Sequence, residues 1–238
     1  MDPKALEKRF RAVFEKEGAF KPFHHVSCFT YPMVPAIRGD DPGRISLITW
    51  GLIPSWTRDE ASATKIRKMT FNARAETIHE KSSFRESVAK RRCLIPVDGF
   101  FEWTHQDEKK YPFFIKLRSS PIFALAGIWD AWTNPATKED LTTFSIVTVK
   151  ANPMMAKIHN SKERMPVILK PEDEPKWLSP ALAPAEIDSL LTPYDESGLE
   201  AWSVALPSRR KGAPAPRPGT AHEVHKYPEL AGKDLPGY

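Results

Sequence analysis

Glu102 is the residue whose neighbours most strongly suggest acid–base chemistry. It lies in Gly99-Phe100-Phe101-Glu102-Trp103, where a carboxylate is surrounded by aromatic side chains. Desolvation beside such rings raises the pKa of a carboxyl group toward the value that a general acid–base needs. If the segment is a strand, Glu102 shares a face with Phe100 and lies opposite Phe101 and Trp103. The alternative is a structural glutamate paired with an arginine.

His159 is a second candidate for proton transfer. The pair Asn152-Pro153 is typical of a helix start, and the helix predicted from it ends near His159, shortly before a predicted strand over 164–169. A histidine titrates close to neutral pH, so it can accept or donate a proton there, although a lone histidine can equally be structural.

Two further segments carry side chains suited to binding. In Thr70–Thr77 the polar residues Asn72, Arg74 and Glu76 alternate with alanines. In an extended chain they share one face, which either presents an amide and a guanidinium to a phosphate or carbonyl, or forms an exposed edge strand. The segment Trp50–Trp56 places two indoles around a turn; both suit a core, but an exposed Trp56 could stack on a base.

A metal-dependent alternative rests on the segment 24–28. His24, His25 and Cys28 are ligand types that zinc accepts, but no second pair follows at metal-site spacing. A zinc or thiol hydrolase therefore remains the weakest of the functional hypotheses. We expect no metal and no cofactor.

The elements that must position these residues predict an α+β fold. Short strands follow one another closely through the middle of the chain, which is typical of a mainly antiparallel, curled or barrel-like sheet with several flanking helices. Asp2, Pro3 and Gly18 are placed to cap, begin and stop an N-terminal helix. The predicted strands are 93–97, 100–103, 111–117, 121–129, 142–149 and 164–169, and the predicted helices are 3–17, 82–91, 172–178 and 184–191.

Composition divides the chain at about residue 206. With 238 residues, 41% of them hydrophobic, and seven Trp, the chain has enough apolar surface for a core without disulfides. We expect one domain over 1–206. Residues 207–238 are rich in Pro, Gly, Ala and charge, so we expect a poorly ordered tail there.

Charge and apolar patterning restrict the partners and the compartment. The net charge of +5 is concentrated in Lys65–Lys68, Lys90–Arg92 and Arg209–Lys211. Such clusters bind phosphates in nucleic-acid-binding proteins, although many are simply solvated. No apolar run approaches the ~18 residues of a membrane span. The start Met1-Asp2-Pro3-Lys4 leads into a helix and not into an apolar secretion signal, so we expect a soluble cytoplasmic protein without membrane contact.

Four segments, taken together and in order, resemble the SOS-response-associated peptidase family, whose members process abasic sites in DNA. The resemblance covers most of residues 1–206. The segments that carry it are Trp50-Gly51-Leu52-Ile53-Pro54-Ser55-Trp56, Asn72-Ala73-Arg74-Ala75-Glu76-Thr77, Arg92-Cys93-Leu94-Ile95-Pro96-Val97-Asp98-Gly99-Phe100-Phe101-Glu102-Trp103, and Ile158-His159 leading to Arg164-Met165-Pro166-Val167-Ile168-Leu169.

The resemblance implies a covalent reaction with damaged single-stranded DNA. Family members capture the ring-opened aldehyde of an abasic site with an N-terminal cysteine, exposed when the protein removes its own initiator methionine, and form a thiazolidine. An α-amine with a pKa of ~7.7–8.0 keeps a reactive neutral fraction near neutral pH and can form a Schiff base, after which the thiol closes the ring.

The same resemblance implies a role for each motif residue. Glu102 would shuttle protons, His159 would assist at the Schiff-base or hydroxyl stage, and Asn72 would hold the N-terminal residue and the lesion. The residues implied to contact DNA are Arg74 and Arg164 at phosphates, Trp56 at the exposed base stack, and Trp103. The expected partner is single-stranded DNA with abasic sites, bound by a monomer.

The start of the chain departs from the family pattern. Family chains begin Met-Cys-Gly-Arg, whereas this sequence begins Met1-Asp2-Pro3-Lys4. Neither Cys28 nor Cys93 can supply an α-amine, and both stand in apolar or aromatic surroundings typical of structural thiols. Two hypotheses follow. Either a short segment with the cysteine precedes Met1, which the helix start at Asp2-Pro3 favours, or the protein is a non-covalent binder of single-stranded or damaged DNA.

Overall fold

The computed structural model describes residues 1–205 and 222–238. The described residues form short helices and strands of between two and eleven residues. The helices are α1 Pro3–Phe10, α2 Glu60–Arg67, α3 Arg85–Lys90, α4 Pro153–Ile158, α5 Glu174–Leu178 and α6 Pro184–Leu190. The strands are β1 Val13–Phe14, β2 Met33–Arg38, β3 Asp41–Trp50, β4 Asn72–Arg74, β5 Arg92–Val97, β6 Phe100–Gln106, β7 Lys109–Leu117, β8 Phe123–Thr133, β9 Asp140–Lys150, β10 Arg164–Pro166, β11 Ile168–Leu169 and β12 Leu199–Ser203.

Five strands close into a barrel. Their order is β3-β2-β5-β8-β9, and β9 returns to β3 through the parallel pairs Thr49–Thr143 and Trp50–Phe144. Closure removes the unpaired edges that an open sheet would expose. The predicted α+β fold with a mainly antiparallel, barrel-like sheet is confirmed, and β1 and β4 add the other parallel pairings.

A second, three-stranded antiparallel sheet has the order β12-β7-β6. Its central strand is buried, with Phe113 and Ile115 fully inaccessible, and these residues join the same core as the barrel residues Phe123 and Phe144. The second sheet therefore shares one core with the barrel and presents β6, the strand of Glu102, at its edge.

The N-terminal helix is shorter than predicted. Asp2 caps it as expected, since its carboxylate accepts a hydrogen bond from the Ala5 amide at 2.8 Å. The helix nevertheless ends at Phe10, because Arg11 adopts a left-handed φ of 52°. Val13 and Phe14 then pair with β3 as a short parallel strand. The apolar residues keep helical spacing beyond Phe10, but the helix itself stops there because the following residues pair with β3.

The predicted strand 164–169 is interrupted. Val167 leaves the strand geometry and donates its backbone N–H to the Val147 carbonyl, which separates β10 from β11. β10 pairs with β9, whereas β11 pairs with β8. One apolar segment therefore serves two neighbouring strands.

The end of the chain differs from the expected tail. Residues 206–221, with the cluster Arg209–Lys211, lie outside the described residues. Residues 222–238 pack on the second sheet: Val224 pairs with Val204, and Leu230 is fully buried. The Tyr238 hydroxyl lies 2.7 Å from the Ser203 hydroxyl. We expected this segment to be poorly ordered. Instead, apolar side chains in it pack against the core of the domain.

The cluster Lys90–Arg92 is not a basic surface patch. Arg92 is 2% exposed, and its guanidinium donates only to backbone carbonyls, those of Val88, Ala89, Trp177 and Ser179. Burial lowers the pKa of this guanidinium from its usual value. The phosphate-binding hypothesis for Arg92 is therefore wrong, because its donors are consumed in joining α3 and α5 to the barrel.

No helix among the described parts of the chain is both long enough and apolar enough to cross a membrane.

Candidate active site

Glu102 stands on the edge strand of the second sheet. β6 begins directly after Gly99, where any Cβ would overlap the ring of Phe114, so only glycine allows this close approach. Glu102 faces Phe113 across the antiparallel pair with β7. Its side chain keeps 23% of its surface exposed, so it is partly accessible to solvent.

His159 follows directly after α4. The predicted helix start is confirmed: the Asn152 side chain accepts a hydrogen bond from the Met155 amide at 2.7 Å, and Pro153 occupies the first helical position. The helix ends at Ile158, which leaves His159 in the loop before β10, with 18% of its side chain exposed.

Two long-range contacts bring this loop against β6. The Thr104 hydroxyl donates to the Ile158 carbonyl at 2.8 Å, and the Asn160 amide group pairs with the backbone of His105 in both directions, at 2.9 and 2.8 Å. On β6 these bonds follow Glu102 by two and three residues, and in the loop they lie on either side of His159. Because the side chains that make them lie some 55 residues from their partners, sequence reasoning missed both Thr104 and Asn160.

The two candidate acid–base groups meet in this arrangement. His159 Nδ1 lies 3.6 Å from Glu102 Oε2 and 3.0 Å from the Arg164 carbonyl oxygen. A carbonyl only accepts hydrogen bonds, so the shorter contact assigns the proton to Nδ1. The neutral imidazole then keeps the lone pair on Nε2 for another group.

Burial shifts the pKa of both groups toward their uncharged forms. Burial raises the pKa of the Glu102 carboxyl to about 7, against smaller lowering effects of the Trp103 backbone amide and of Lys162. Burial also lowers the pKa of the His159 imidazole from its ordinary value, opposed by the hydrogen bond to the Arg164 carbonyl. Near neutral pH the carboxyl group therefore populates both protonation states, which is the condition for donating and accepting a proton in one reaction.

Asn72 and Arg74 lie on β4, beside β9. Asn72 pairs with Ile146 and Arg74 with Thr148, in parallel register. Both side chains are exposed, whereas Ala73 between them is buried, so these two residues form the predicted polar face. Glu76 does not continue it, because β4 ends at Arg74 and Ala75–Thr77 form a 3-10 turn. Within residues 1–205 and 222–238, the Arg74 guanidinium forms no ion pair, and the Asn72 amide has no side-chain partner.

The Arg164 side chain, which was predicted to contact a phosphate, is already bound to other residues of the protein. Its guanidinium makes a two-pronged ion pair with Glu76, at 2.5 and 2.9 Å, and donates to the Thr148 carbonyl at 2.6 Å. Its side chain is 17% exposed. Since its backbone carbonyl also holds His159, Arg164 connects the Asn72 strand to the histidine, and Glu76 and Thr148 belong to this connection although no sequence pattern identified Thr148.

Trp56 is exposed, with 51% of its surface accessible. The turn that carries it is fixed by β8: the Ser55 amide donates to Asp130 at 3.0 Å, and the Trp132 indole donates to the Thr57 carbonyl at 2.7 Å. Trp56 is therefore presented on a rigid turn. Trp103 is placed differently, because alternation along β6 puts it on the face opposite Glu102.

Cys93 and the histidines 24 and 25 lie in different surroundings. Cys93 is fully buried, and burial strongly raises the pKa of its thiol. The ring of His24 faces His222 at 6.4 Å, whereas that of His25 faces Phe101 at 4.9 Å. Among the described residues, no three His, Cys, Asp or Glu side chains stand close enough to hold a metal ion.

Comparison with known proteins agrees with the four-segment resemblance. The family model described as SOS response associated peptidase, SRAP, matches residues 1–206. The chain belongs to the SRAP family.

Relatives and solved structures support this membership. The abasic site processing protein YoqW of Bacillus subtilis is 42% identical over 194 residues, covering 81% of this chain and 83% of that protein. The abasic site processing protein YoaM of the same organism is 40% identical, covering 81% and 82%. A solved structure from Bacteroides thetaiotaomicron superimposes with a TM-score of 0.82 at 42% identity, covering 85% of this chain and 88% of that one.

Proposed function

We propose that this SRAP-family protein binds abasic sites in single-stranded DNA and processes them with Glu102 and His159. The observation that carries the proposal is the pairing of these two groups, 3.6 Å apart, in which burial holds the carboxyl pKa at about 7. The names of the relatives YoqW and YoaM, both abasic site processing proteins, support the substrate class.

The chemistry of an abasic sugar suits such a pair. The closed sugar opens to an aldehyde when a proton leaves its C1 hydroxyl and another reaches the ring oxygen. A carboxyl group with a pKa near neutral pH can perform both transfers in succession. The free Nε2 of His159 can accept a further proton when an amine attacks the aldehyde and water leaves.

The strand β4 supplies the binding groups in this proposal. The exposed Arg74 guanidinium contacts a phosphate, and the Asn72 amide holds the lesion. Arg164 acts through its ion pair with Glu76 and its carbonyl, which orients His159. The exposed Trp56 stacks on a base of the strand, whereas Trp103, on the opposite face of β6 from Glu102, is not assigned a contact with the lesion.

The covalent step of the proposal needs an α-amine and a thiol on one residue. Condensation of the amine with the aldehyde releases water, and addition of the thiol to the resulting imine closes a thiazolidine. The buried Cys93 thiol is held protonated and carries no α-amine, so it supplies neither nucleophile. An N-terminal cysteine, as in the family sequence Met-Cys-Gly-Arg, supplies both.

The test compares the chain as given with chains extended at the start by Met-Cys-Gly-Arg and flexible spacers of several lengths. Each is incubated with a single-stranded oligonucleotide containing an abasic site. We expect an adduct that survives denaturation from an extended chain, and none from the matched extension Met-Ser-Gly-Arg, which has no thiol.

The outcomes separate the two functional hypotheses. If no extended chain forms an adduct between about pH 6 and about pH 8, where the α-amine passes from mostly charged to largely neutral, the covalent proposal fails. Tighter binding to abasic than to intact strands without an adduct would then indicate a non-covalent damage binder. Equal binding to both strands would exclude abasic recognition altogether.

A further inference from the structure

An exposed aromatic surface borders Asn72. We call it the aromatic platform, and it consists of Phe29, Tyr31, Arg67, Met69 and Phe71. Phe29 and Met69 are 64% and 73% exposed, and contiguous exposed apolar side chains mark binding surfaces. Phe71 is buried and directly precedes Asn72, so the residue that anchors the platform is continuous with the strand that carries Asn72 and Arg74.

The rings of the platform contact one another in a fixed arrangement. Phe71 lies 5.5 Å from Phe29 and 5.6 Å from Tyr31, measured between ring centroids. The guanidinium carbon of Arg67 lies 3.9 Å from the centre of the Tyr31 ring. These contacts are the offset and cation–π geometries that stabilise aromatic pairs.

The backbone beneath the platform leaves little room for rearrangement. Gly51 has a φ of +106°, and a Cβ there would stand 3.3 Å from the Phe71 ring and 3.4 Å from that of Tyr31. Tyr31 itself has a φ of 51°, a region that bulky residues rarely adopt. The Phe71 carbonyl accepts a hydrogen bond from the Trp50 indole at 2.9 Å. The exposed Phe29 ring therefore packs on a buried and constrained Phe71.

The charge around the platform is positive. Lys65, Arg67 and Lys68 lie at the C-terminal end of α2, and Lys65 and Lys68 are exposed. None of the three forms an ion pair within residues 1–205 and 222–238. Burial lowers the pKa of the Arg67 guanidinium from its usual value, which a bound anion would reverse.

We propose that the aromatic platform stacks an unpaired base of the DNA strand beside the abasic nucleotide, while Lys65 and Lys68 contact its phosphates. Aromatic faces stack on any base, and neighbouring cations follow the backbone, which is how sequence-independent single-strand binding works. This inference rests on the proposed function, because it extends the strand that Asn72 and Arg74 bind. If it is correct, unpaired nucleotides on one side of the abasic site, either 5′ or 3′, should increase the affinity more than those on the other side.

The experiment measures fluorescence anisotropy with labelled single strands that carry a tetrahydrofuran abasic analogue, which has no aldehyde and cannot crosslink. The analogue is placed at the 5′ end, at the 3′ end, or between flanking thymidines. Adding nucleotides on one side should raise the affinity of the unaltered protein roughly tenfold, and Phe29→Ala should abolish most of that gain. Phe29→Tyr keeps the ring and should keep the gain.

The controls distinguish the subsite from the rest of the site. Val13→Ala removes another exposed apolar side chain, on β1, and should leave every affinity unchanged. Phe29→Ala should retain the preference for abasic over intact strands, because Asn72 and Arg74 remain.

If Phe29→Ala retains the full gain with flanking length, the platform does not bind the strand and this inference is wrong, whereas the proposed function stands. If the unaltered protein shows no preference for abasic strands, the proposed function is wrong. In that case, intact strands of increasing length still test the platform. It binds bases if added nucleotides raise the affinity of the unaltered protein and Phe29→Ala abolishes this increase.

Discussion

Two clusters of this protein hold a buried ionisable group, and they differ in what they leave free. Arg92 is 2% exposed. Its guanidinium donates hydrogen bonds to four carbonyl oxygens, which belong to α3, to α5 and to the residue after α5. Glu102 and His159 are 23% and 18% exposed, and His159 Nδ1 donates a hydrogen bond to the Arg164 carbonyl at 3.0 Å.

The comparison teaches that a shifted pKa does not by itself identify an active site. Burial shifts the pKa of Arg92 and of Glu102 alike toward the uncharged form. In the Arg92 cluster, however, the donors are consumed inside the protein, whereas the Glu102 carboxylate and His159 Nε2 retain capacity for another molecule. Unused hydrogen-bonding capacity next to solvent separates the candidate site from the structural cluster.

The largest expected effect is that of Arg92→Leu. Four buried carbonyls would lose their donors, so we expect the free energy of unfolding to fall by about 3 to 5 kcal/mol, measured by urea denaturation. The control Lys90→Met removes an exposed cation that lies 3.8 Å from Glu86, and should change stability by less than about 0.5 kcal/mol. If Arg92→Leu lowers the free energy of unfolding by less than about 1 kcal/mol, the Arg92 hydrogen bonds do not hold the fold together, and the contrast with the Glu102 cluster is wrong.

Glu102→Gln tests the other cluster. In a chain with the N-terminal cysteine, the rate of adduct formation should fall roughly a hundredfold, because an amide cannot transfer protons. Rates of both proteins at matched folded concentration provide the measurement.

Glu102→Gln should also stabilise the folded protein at higher pH, whereas most substitutions of a partly buried side chain destabilise it. The folded carboxyl pKa of about 7 lies above its ordinary 4.5, so the carboxyl group stabilises the fold most below the unfolded pKa and loses this contribution as pH rises through about 7. Relative to the unaltered protein, Glu102→Gln should therefore gain up to about 3 kcal/mol between about pH 5 and about pH 8. Parallel stability curves would contradict the raised pKa.

The smallest effects distinguish Arg74 from Arg164. Arg74 is exposed and forms no ion pair among the described residues, so Arg74→Gln should weaken binding to single strands and reduce the slope of log affinity against log salt by about one. Glu76→Gln leaves the Arg164 hydrogen bond to Thr148 and the His159 contact in place. It should alter stability by less than about 1 kcal/mol and leave the salt slope unchanged; a steeper slope would mean that the released Arg164 binds phosphate.

Local patterns predicted the elements that carry the site. Asn152-Pro153 identified the start of α4, and the alternation in Asn72–Arg74 identified the polar face of β4, because capping and strand periodicity depend on nearest neighbours. The order of the four motifs also predicted the family. The helix expected over 3–17 was too long, since the pairing of Val13 and Phe14 with β3 is a long-range event.

The chain's own residue types predicted that Glu102, set among aromatic side chains, would have a raised pKa, and that the domain would be barrel-like. Tertiary structure alone decided that His159 meets this carboxylate, through the Thr104–Ile158 and His105–Asn160 contacts, and that Arg92 is interior while Arg74 is not. The physical reason is that periodicity specifies the conformation of a segment, whereas burial and hydrogen-bond partners depend on which distant segments pack against it.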